Sequence, residues 1–305
     1  MILEVQTDRL ALLHRGKVRD SFRVDDARRL LVVTDRISAF DLKLKPAIPA
    51  KGAILNTLSA WWFERTGHIV ANHCLVVPDP QAMVVREAQP IRMEVVVRGY
   101  AAGSLWRAYE AGRRDYGGAQ LIEGMSKHDP LPQPIITPTT KEESDREISR
   151  DEALALGLAS SAHYAQMERV AALLYLEGAR IAKEAGLLLA DTKYEFGVSN
   201  GELILIDEIH TPDSSRYWDA VDYARDRAGA ESFDKDVVRR WMQANKDNDA
   251  YRTELPEAIV NETAARYRTL FERLTGTAAP AARVHTEQDL WRNLEAAGLV
   301  KEQHA

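Results

Sequence analysis

Asp191-Thr192-Lys193-Tyr194-Glu195 sets an acid, a base and an acid at every second position, directly after the apolar run 187–190. Side chains of a strand alternate between its two faces. Asp191, Lys193 and Glu195 therefore share one face, and Thr192, Tyr194 and Phe196 share the other. The next apolar run, 203–206, ends in Asp207-Glu208. Carboxylates facing each other across adjacent strands lie about 4.5–5.5 Å apart at Cβ. That spacing suits Mg²⁺, a hard ion that takes oxygen ligands and keeps waters and phosphates around it. A solvated hairpin end accounts for the same residues without a metal. Register separates the two readings. A two-residue turn at Asn200-Gly201 would pair Glu195 with Ile206 and Tyr194 with Asp207, sending Glu195 and Asp207 to opposite faces. The metal reading thus predicts an odd-length connection or a bulge.

Three further segments combine glycine, small hydroxyls and cations. In Gly16-Lys17-Val18-Arg19-Asp20 a glycine turn lets backbone N–H groups approach a phosphate, while Lys17 and Arg19 supply charge. Taken alone it reads better as a hairpin turn with solvated basic residues, and the Walker A spacing is absent. Arg98-Gly99-Tyr100-Ala101-Ala102-Gly103-Ser104 runs from a strand end into a helix start, a natural anion site; a capped tight turn is the plain alternative. Thr211-Pro212-Asp213-Ser214-Ser215-Arg216 sets hydroxyls before an arginine, whose fork suits phosphate or carboxylate; a Ser-capped helix start reads the same way. Asp35-Arg36-Ile37-Ser38-Ala39-Phe40-Asp41 either lines a cleft or solvates a loop. No H-E-x-x-H or G-x-S-x-G pattern occurs. The inventory is two or three anion sites, a carboxylate pair and no protein nucleophile. Such a set fits an enzyme that uses ATP through positioning and electrostatics.

The elements that must hold these residues can be read from the 305-residue chain. Its net charge of −6 advertises no nucleic-acid face, so local cations must meet any anionic substrate. The single cysteine, Cys74, excludes an intramolecular disulfide and a Cys-rich zinc site. The first ten residues carry charges and lack the apolar stretch of a signal peptide, and no apolar run reaches 18 residues. A cytoplasmic enzyme is the expectation. Strands are predicted over 29–34, 74–77, 83–86, 93–97, 187–190 and 203–206. Helices are predicted over 53–65, from Ser104 as N-cap to Gly112, over 163–185, and later over 233–244, 256–274 and 287–297. Ser232 and Thr286 are predicted N-caps. Trp61-Trp62-Phe63 reads as core. The proline-rich stretch 117–150 reads as a long loop with short extended pieces. Strands first and helices later give an α+β fold, with two lobes expected: an N-terminal ATP-binding lobe, 1–92, and a C-terminal lobe with ATP/Mg²⁺ and substrate sites, 93–305.

At this point longer segments become specific. GKVRD at Gly16, DRISAFD at Asp35, EVVVRGYAAGSLW at Glu94, TPTTK at Thr137, LLLADTKYEFG at Leu187, IDEIHTPDSSRYW at Ile206 and SFDKDVVRRW at Ser232 stand in one order. Together they resemble the SAICAR synthetase family over about residues 16–241. The resemblance implies an ATP-grasp-related fold with antiparallel sheets, two lobes and a central cleft. It implies a ligase of de novo purine biosynthesis using ATP and Mg²⁺. That ligase joins L-aspartate to 5-amino-1-(5-phosphoribosyl)imidazole-4-carboxylate (carboxyaminoimidazole ribonucleotide), with no nucleic-acid or membrane partner. On that footing, Gly16, Lys17 and Arg19 would hold ATP phosphates. Arg92, Met93 and Glu94 would offer backbone groups to adenine, and Glu195 and Asp207 would hold Mg²⁺. Arg98, Ser104, Ser215 and Arg216 would receive the ribonucleotide. Asp191 and Lys193, the catalytic candidates, would line the floor between, with Ser38 and Asp41 on the substrate side. Two departures stand out. Many members have His-Asp where this chain has Ser144-Asp145, and some carry arginine at the place of Tyr100. A plain phosphotransferase and a non-catalytic nucleotide sensor are the rival readings; buried charge clustered as at Asp191–Glu195 is costly for binding alone.

Overall fold

The computed structural model describes residues 1–40, 42–142, 146–246, 253–281 and 285–301. Two compact units divide the chain. The first comprises Met1–Trp61, His73–Glu87 and Phe233–Ala305; the second comprises Trp62–Asn72 and Ala88–Ser232.

The first unit is built on a five-stranded antiparallel sheet. It contains β1 (Ala11–Arg15), β2 (Arg19–Arg23), β3 (Arg28–Val33), β6 (Cys74–Asp79) and β7 (Ala82–Arg86), in the order β1-β2-β3-β7-β6. Phe22, Leu30, Val32, Ala82 and Val84 bury one sheet face. Ile2, Val5 and the α8 (Glu287–Ala296) residues Leu290 and Leu294 cover it. A short hairpin, β4 (Ile37–Ala39) and β5 (Leu42–Leu44), packs with α6 (Asp236–Ala244) and α7 (Glu257–Thr275) through Ile37, Leu44, Val238 and Val260. These apolar faces explain one departure from expectation. The segment from Phe233 onward belongs to this unit, not to the second lobe, because α6, α7 and α8 bury their stripes here. Helix α1 (Lys51–Thr66) has residues in both units; its Trp62, counted in the second, is fully buried as expected.

The second unit is a five-stranded antiparallel sheet centred on β12 (Leu187–Ser199). β8 (Gln89–Tyr100) lies along one edge of β12 and is followed outward by β11 (Pro130–Thr140). On the other edge, β13 (Glu202–Ile206) pairs with the second half of β12 and β14 (Ser215–Asp219) with the first half. Helix α4 (Ser161–Glu184) packs on β12 and β8. Its buried residues Tyr164, Met167, Val170, Ala171, Leu174, Tyr175 and Gly178 recur at spacings of three and four, the stripe of an amphipathic helix. Ser160 caps its start by accepting from the His163 N–H, and Gly186, at φ +71°, follows its end.

The remaining elements are α2 (Gly103–Glu110), the two-residue strands β9 (Asp115–Tyr116) and β10 (Ala119–Gln120), α3 (Arg150–Ala155) and α5 (Ala220–Arg225). The stretch 117–150, expected as a loop, contains β10 and the whole of β11. Four prolines hid that strand. Proline is tolerated there because β11 is an edge strand, whose outer N–H groups need no ladder partner. Among the described residues no helix is long and apolar enough to cross a membrane.

Candidate active site

One face of the second unit's sheet packs on α4, and the other collects charge. Register fixes this division. Asp191 pairs with Arg98, Lys193 with Val96 and Glu195 with Glu94 across β12 and β8. Across β8 and β11, Val96 pairs with Thr137 and Glu94 with Thr139. Residues directly opposite share a face, so Glu94, Arg98, Thr137, Thr139, Asp191, Lys193 and Glu195 form one surface. Thr192, Tyr194 and Phe196 turn the other way and are buried, as the alternation predicts.

Two clusters occupy the charged face. In the first, Asp191 stands between two arginines. Arg98 reaches its Oδ2 at 3.4 Å from β8, and Arg216 pairs with the same oxygen from β14. Arg98 also donates to Thr137 Oγ1 at 2.9 Å and to Ser104 Oγ at 3.1 Å. Arg98 and Asp191 are buried. One carboxylate against two guanidiniums leaves a positive charge, and burial strengthens its pull on an anion. Gly103, at φ +59°, lets Arg216 approach, since a Cβ there would lie 2.8 Å from one guanidinium nitrogen. Ser104 is not the helix cap; α2 starts after Ala102 with no side-chain cap bond, and the Ser104 hydroxyl serves Arg98 instead. Ser215 departs from expectation too. Its hydroxyl donates to Thr192 Oγ1 at 2.7 Å, on the face turned away from Asp191, because it alternates with Arg216 along β14. The segment is a strand, not a helix start.

In the second cluster, Lys193 is surrounded by carboxylates. Its Nζ lies 2.7 Å from Glu94, 2.8 Å from Glu195 and 3.8 Å from Asp207. Burial penalises its ammonium, but the charges of Glu195, Glu94 and Asp207 more than offset this and raise its pKa well above the ordinary lysine value. Lys193 is thus a permanent cation, suited to stabilising anionic charge and not to acting as a nucleophile or base. The expected odd connection between β12 and β13 does not occur. Asn200 and Gly201, at φ +53° and +83°, make a two-residue turn, and Glu195 pairs with Ile206. Asp207 nevertheless joins Glu195 at Lys193, because β13 ends at Ile206 and Asp207 adopts φ +69°. A left-handed residue breaks the alternation and re-aims its side chain.

The loop after Asp207 is anchored from behind. His210, at φ +53° and fully buried, meets the Tyr194 hydroxyl at 2.6 Å through Nε2, and its carbonyl accepts from the Tyr217 hydroxyl at 2.9 Å. Burial pushes the His210 pKa down to about 3, so the ring stays neutral. Thr211 donates to Glu208 at 2.5 Å, which turns Glu208 into a loop brace.

Two carboxylates reaching one ammonium position supply the hard oxygen donors Mg²⁺ prefers, since that ion is commonly held by one or two carboxylates plus phosphates. Among the described residues no group of three or more His, Cys, Asp or Glu is placed to hold a metal ion by itself. The buried Thr139 hydroxyl, opposite Glu94 in register, has no hydrogen-bond partner among the described residues. The ladder between β8 and β12 skips from Glu94 to Pro90. Arg92 and Met93 thus lie where β8 departs from regular pairing, which suits backbone groups that contact a ligand. The exposed Arg92 side chain and the buried Met93 side chain bracket that point.

In the first unit, Gly16, Lys17 and Arg19 form the turn between β1 and β2, closed by Gly16 N–H to Arg19 O at 2.7 Å. Arg36 braces it by donating to Gly16 O at 3.1 Å, Lys17 O at 3.0 Å and buried Asp20 at 2.7 Å. Asp35 accepts from the Ile2 and Gly52 N–H groups. The charges of this acidic-basic pair are therefore structural. Ser38 is buried in β4. Asp41, Ser144 and Asp145 lie outside the described residues.

Sequence reasoning missed four contributors to the charged face: the Glu94 carboxylate, Thr137, Thr139 and Lys141, which pairs with Glu195. Their signal was the period-two spacing Thr137, Thr139, Lys141, obscured by Pro138.

An arginine-flanked carboxylate beside a lysine among acids, on one sheet face, defines an enzyme site for anionic substrates. The chain belongs to the SAICAR synthetase family, whose pattern matches residues 12–257. It is 43% identical over 273 residues to the phosphoribosylaminoimidazole-succinocarboxamide synthase of Bacteroides fragilis, covering 87% of each chain. Its similarity to the synthase of the same name from Cytophaga hutchinsonii is 42% over 271 residues, covering 86% of this chain and 87% of that one. Among solved structures, the SAICAR synthase of Saccharomyces cerevisiae complexed with SAICAR superposes with a TM-score of 0.81 at 34% identity, over 92% of this chain and all of that one. A SAICAR synthetase in complex with ADP gives 0.70 at 26% identity, over 88% of this chain and 99% of that one.

Proposed function

We propose that this chain is the ATP-dependent ligase that joins L-aspartate to 5-amino-1-(5-phosphoribosyl)imidazole-4-carboxylate, giving SAICAR, ADP and phosphate in de novo purine biosynthesis. The observation that carries the reading is the pair of clusters on one strand. Asp191 and Glu195 are four residues apart on β12, about 13 Å at ~3.3 Å per residue. A ribonucleotide lying along that face would set its phosphate at Arg98, Ser104 and Arg216 and its carboxylate near Lys193. The cytoplasm is the compartment this reading favours.

The chemistry follows from the charges. A carboxylate is a poor acyl donor because its leaving group would be oxide. Attack of a carboxylate oxygen on the γ-phosphorus of ATP forms an acyl phosphate and releases ADP. The aspartate amine then attacks the acyl carbon, loses a proton and expels phosphate. Every species is an anion, so the work of the site is to gather them and offset their repulsion. Lys193 stabilises the transferring phosphoryl group, and Glu94 keeps it charged and aimed. Arg98 and Arg216 fix the ribonucleotide, and Asp191 holds both guanidiniums in place. Mg²⁺, held by Glu195 and Asp207, would neutralise phosphate charge. Gly16, Lys17 and Arg19 remain phosphate candidates within their own unit.

The acyl phosphate makes a definite prediction about atoms. With both carboxylate oxygens of the ribonucleotide labelled with ¹⁸O, one label should appear in each phosphate released. Unlabelled phosphate, with amide formed, would rule out activation at that carboxylate.

A further inference from the structure

Among the described residues Glu195 has two ammonium partners. Its Oε1 accepts from Lys193 at 2.8 Å, and its Oε2 accepts from Lys141, the residue just after β11. The two lysines are held very differently. Lys193 is also engaged by Glu94 and Asp207 and is largely enclosed. The Lys141 side chain is 45% exposed, whereas that of Glu195 is 7% exposed. A buried carboxylate stripped of its partners is costly, so a lysine reaching in from solvent keeps it compensated. A half-solvated ammonium on a flexible stem gives up such a pair at small cost.

A divalent cation at Glu195 needs a carboxylate oxygen that an ammonium now occupies. Lys193 is fixed by three acids, so Lys141 is the partner able to yield. We propose that Lys141 is an exchangeable counterion for Glu195, occupying the carboxylate in the metal-free protein and surrendering it when a divalent cation binds. Lys141 thereby sets the metal affinity of the site. The proposal rests on the reading of Glu195 as a metal-binding carboxylate.

Mn²⁺ is the probe, its binding to the full chain without nucleotide read by electron paramagnetic resonance at fixed ionic strength. The proteins compared are the unmodified chain, Lys141→Met, Glu195→Gln and the double variant. Lys141→Met should bind Mn²⁺ on the order of twofold to fivefold more tightly, the range expected for releasing a partly exposed ion pair, and Lys141→Arg should restore the original affinity. The gain should vanish in the Glu195→Gln background. A gain of equal size in both backgrounds would be a general effect of deleting one positive charge and would overturn the exchange. Unchanged or weaker binding in Lys141→Met would overturn it as well. If Glu195→Gln bound Mn²⁺ as well as the unmodified chain, or if no protein bound it, the metal reading of Glu195 would fall and the proposal with it.

Discussion

Gly99 sits one residue beyond Arg98 on β8, and its missing side chain decides how closely the sheet meets α4. A Cβ at that position would lie 1.9 Å from the Tyr175 hydroxyl oxygen and 2.8 Å from the ring carbon that bears it. That hydroxyl donates to Leu189 O on β12 at 2.8 Å. Gly99→Ala must therefore displace a buried tyrosine or push β8 away from the helix. Overpacking of this kind costs about 1–3 kcal/mol. Losing the Tyr175 hydrogen bond inside the sheet adds about 1–3 kcal/mol. The variant should lose roughly 2–6 kcal/mol in all. Urea unfolding followed by tryptophan fluorescence would read this, since Trp218 is buried in the same unit. In a Tyr175→Phe background the closest obstacle is gone, so Gly99→Ala should cost at least about 1 kcal/mol less there. Because Arg98 is its neighbour, the variant should also raise KM for the ribonucleotide more than KM for ATP. A Gly99→Ala protein within about 0.5 kcal/mol of the original, or an equal cost in both backgrounds, would refute the reasoning.

Three more outcomes follow from the charged and buried groups. Glu94→Gln removes a counterion of Lys193 and should lower kcat by about 10- to 100-fold, as loss of an outer-shell partner does, with ribonucleotide KM nearly unchanged in steady-state assays. His285 contacts buried Asp79 at 3.0 Å, and that hydrogen bond raises its pKa; its contribution to stability is full below about pH 6.5 and is lost as pH rises through the higher folded value. The stability gap between the original protein and His285→Gln should accordingly close on going from pH 6 to pH 8.5 in urea titrations. His210 has the opposite sign. With a folded pKa near 3, it takes up a proton only in the unfolded chain as pH falls below about 6.5. Stability should then drop by about 1.4 kcal/mol per pH unit from this group, a slope that His210→Gln removes.

Local signals in the sequence reached some elements and not others. Thr286 is the N-cap expected, with a capping box closed by Asp289, because that motif depends on four consecutive residues. The alternation of Asp191, Lys193 and Glu195 was legible for the same reason. Ser232 does not cap α6, which begins after Lys235 without a side-chain cap. β11 was hidden because proline reads as a breaker until the strand is known to lie at an edge. The meeting of Glu195 with Asp207 depends on one residue's left-handed φ, which no hydrophobic pattern encodes. Likewise, Lys141 and the carboxylate of Glu94 joined the charged cluster only when β11, β8 and β12 were set side by side, since pairings between distant segments have no local signature.

The most direct test of the ligase reading is ADP release by the purified chain with ATP, Mg²⁺ and the carboxylated ribonucleotide, with L-aspartate present or omitted. The account predicts rapid release only with every component, matched by one equivalent of the succinocarboxamide. ADP release unaffected by omitting aspartate, with no amide formed, would contradict it.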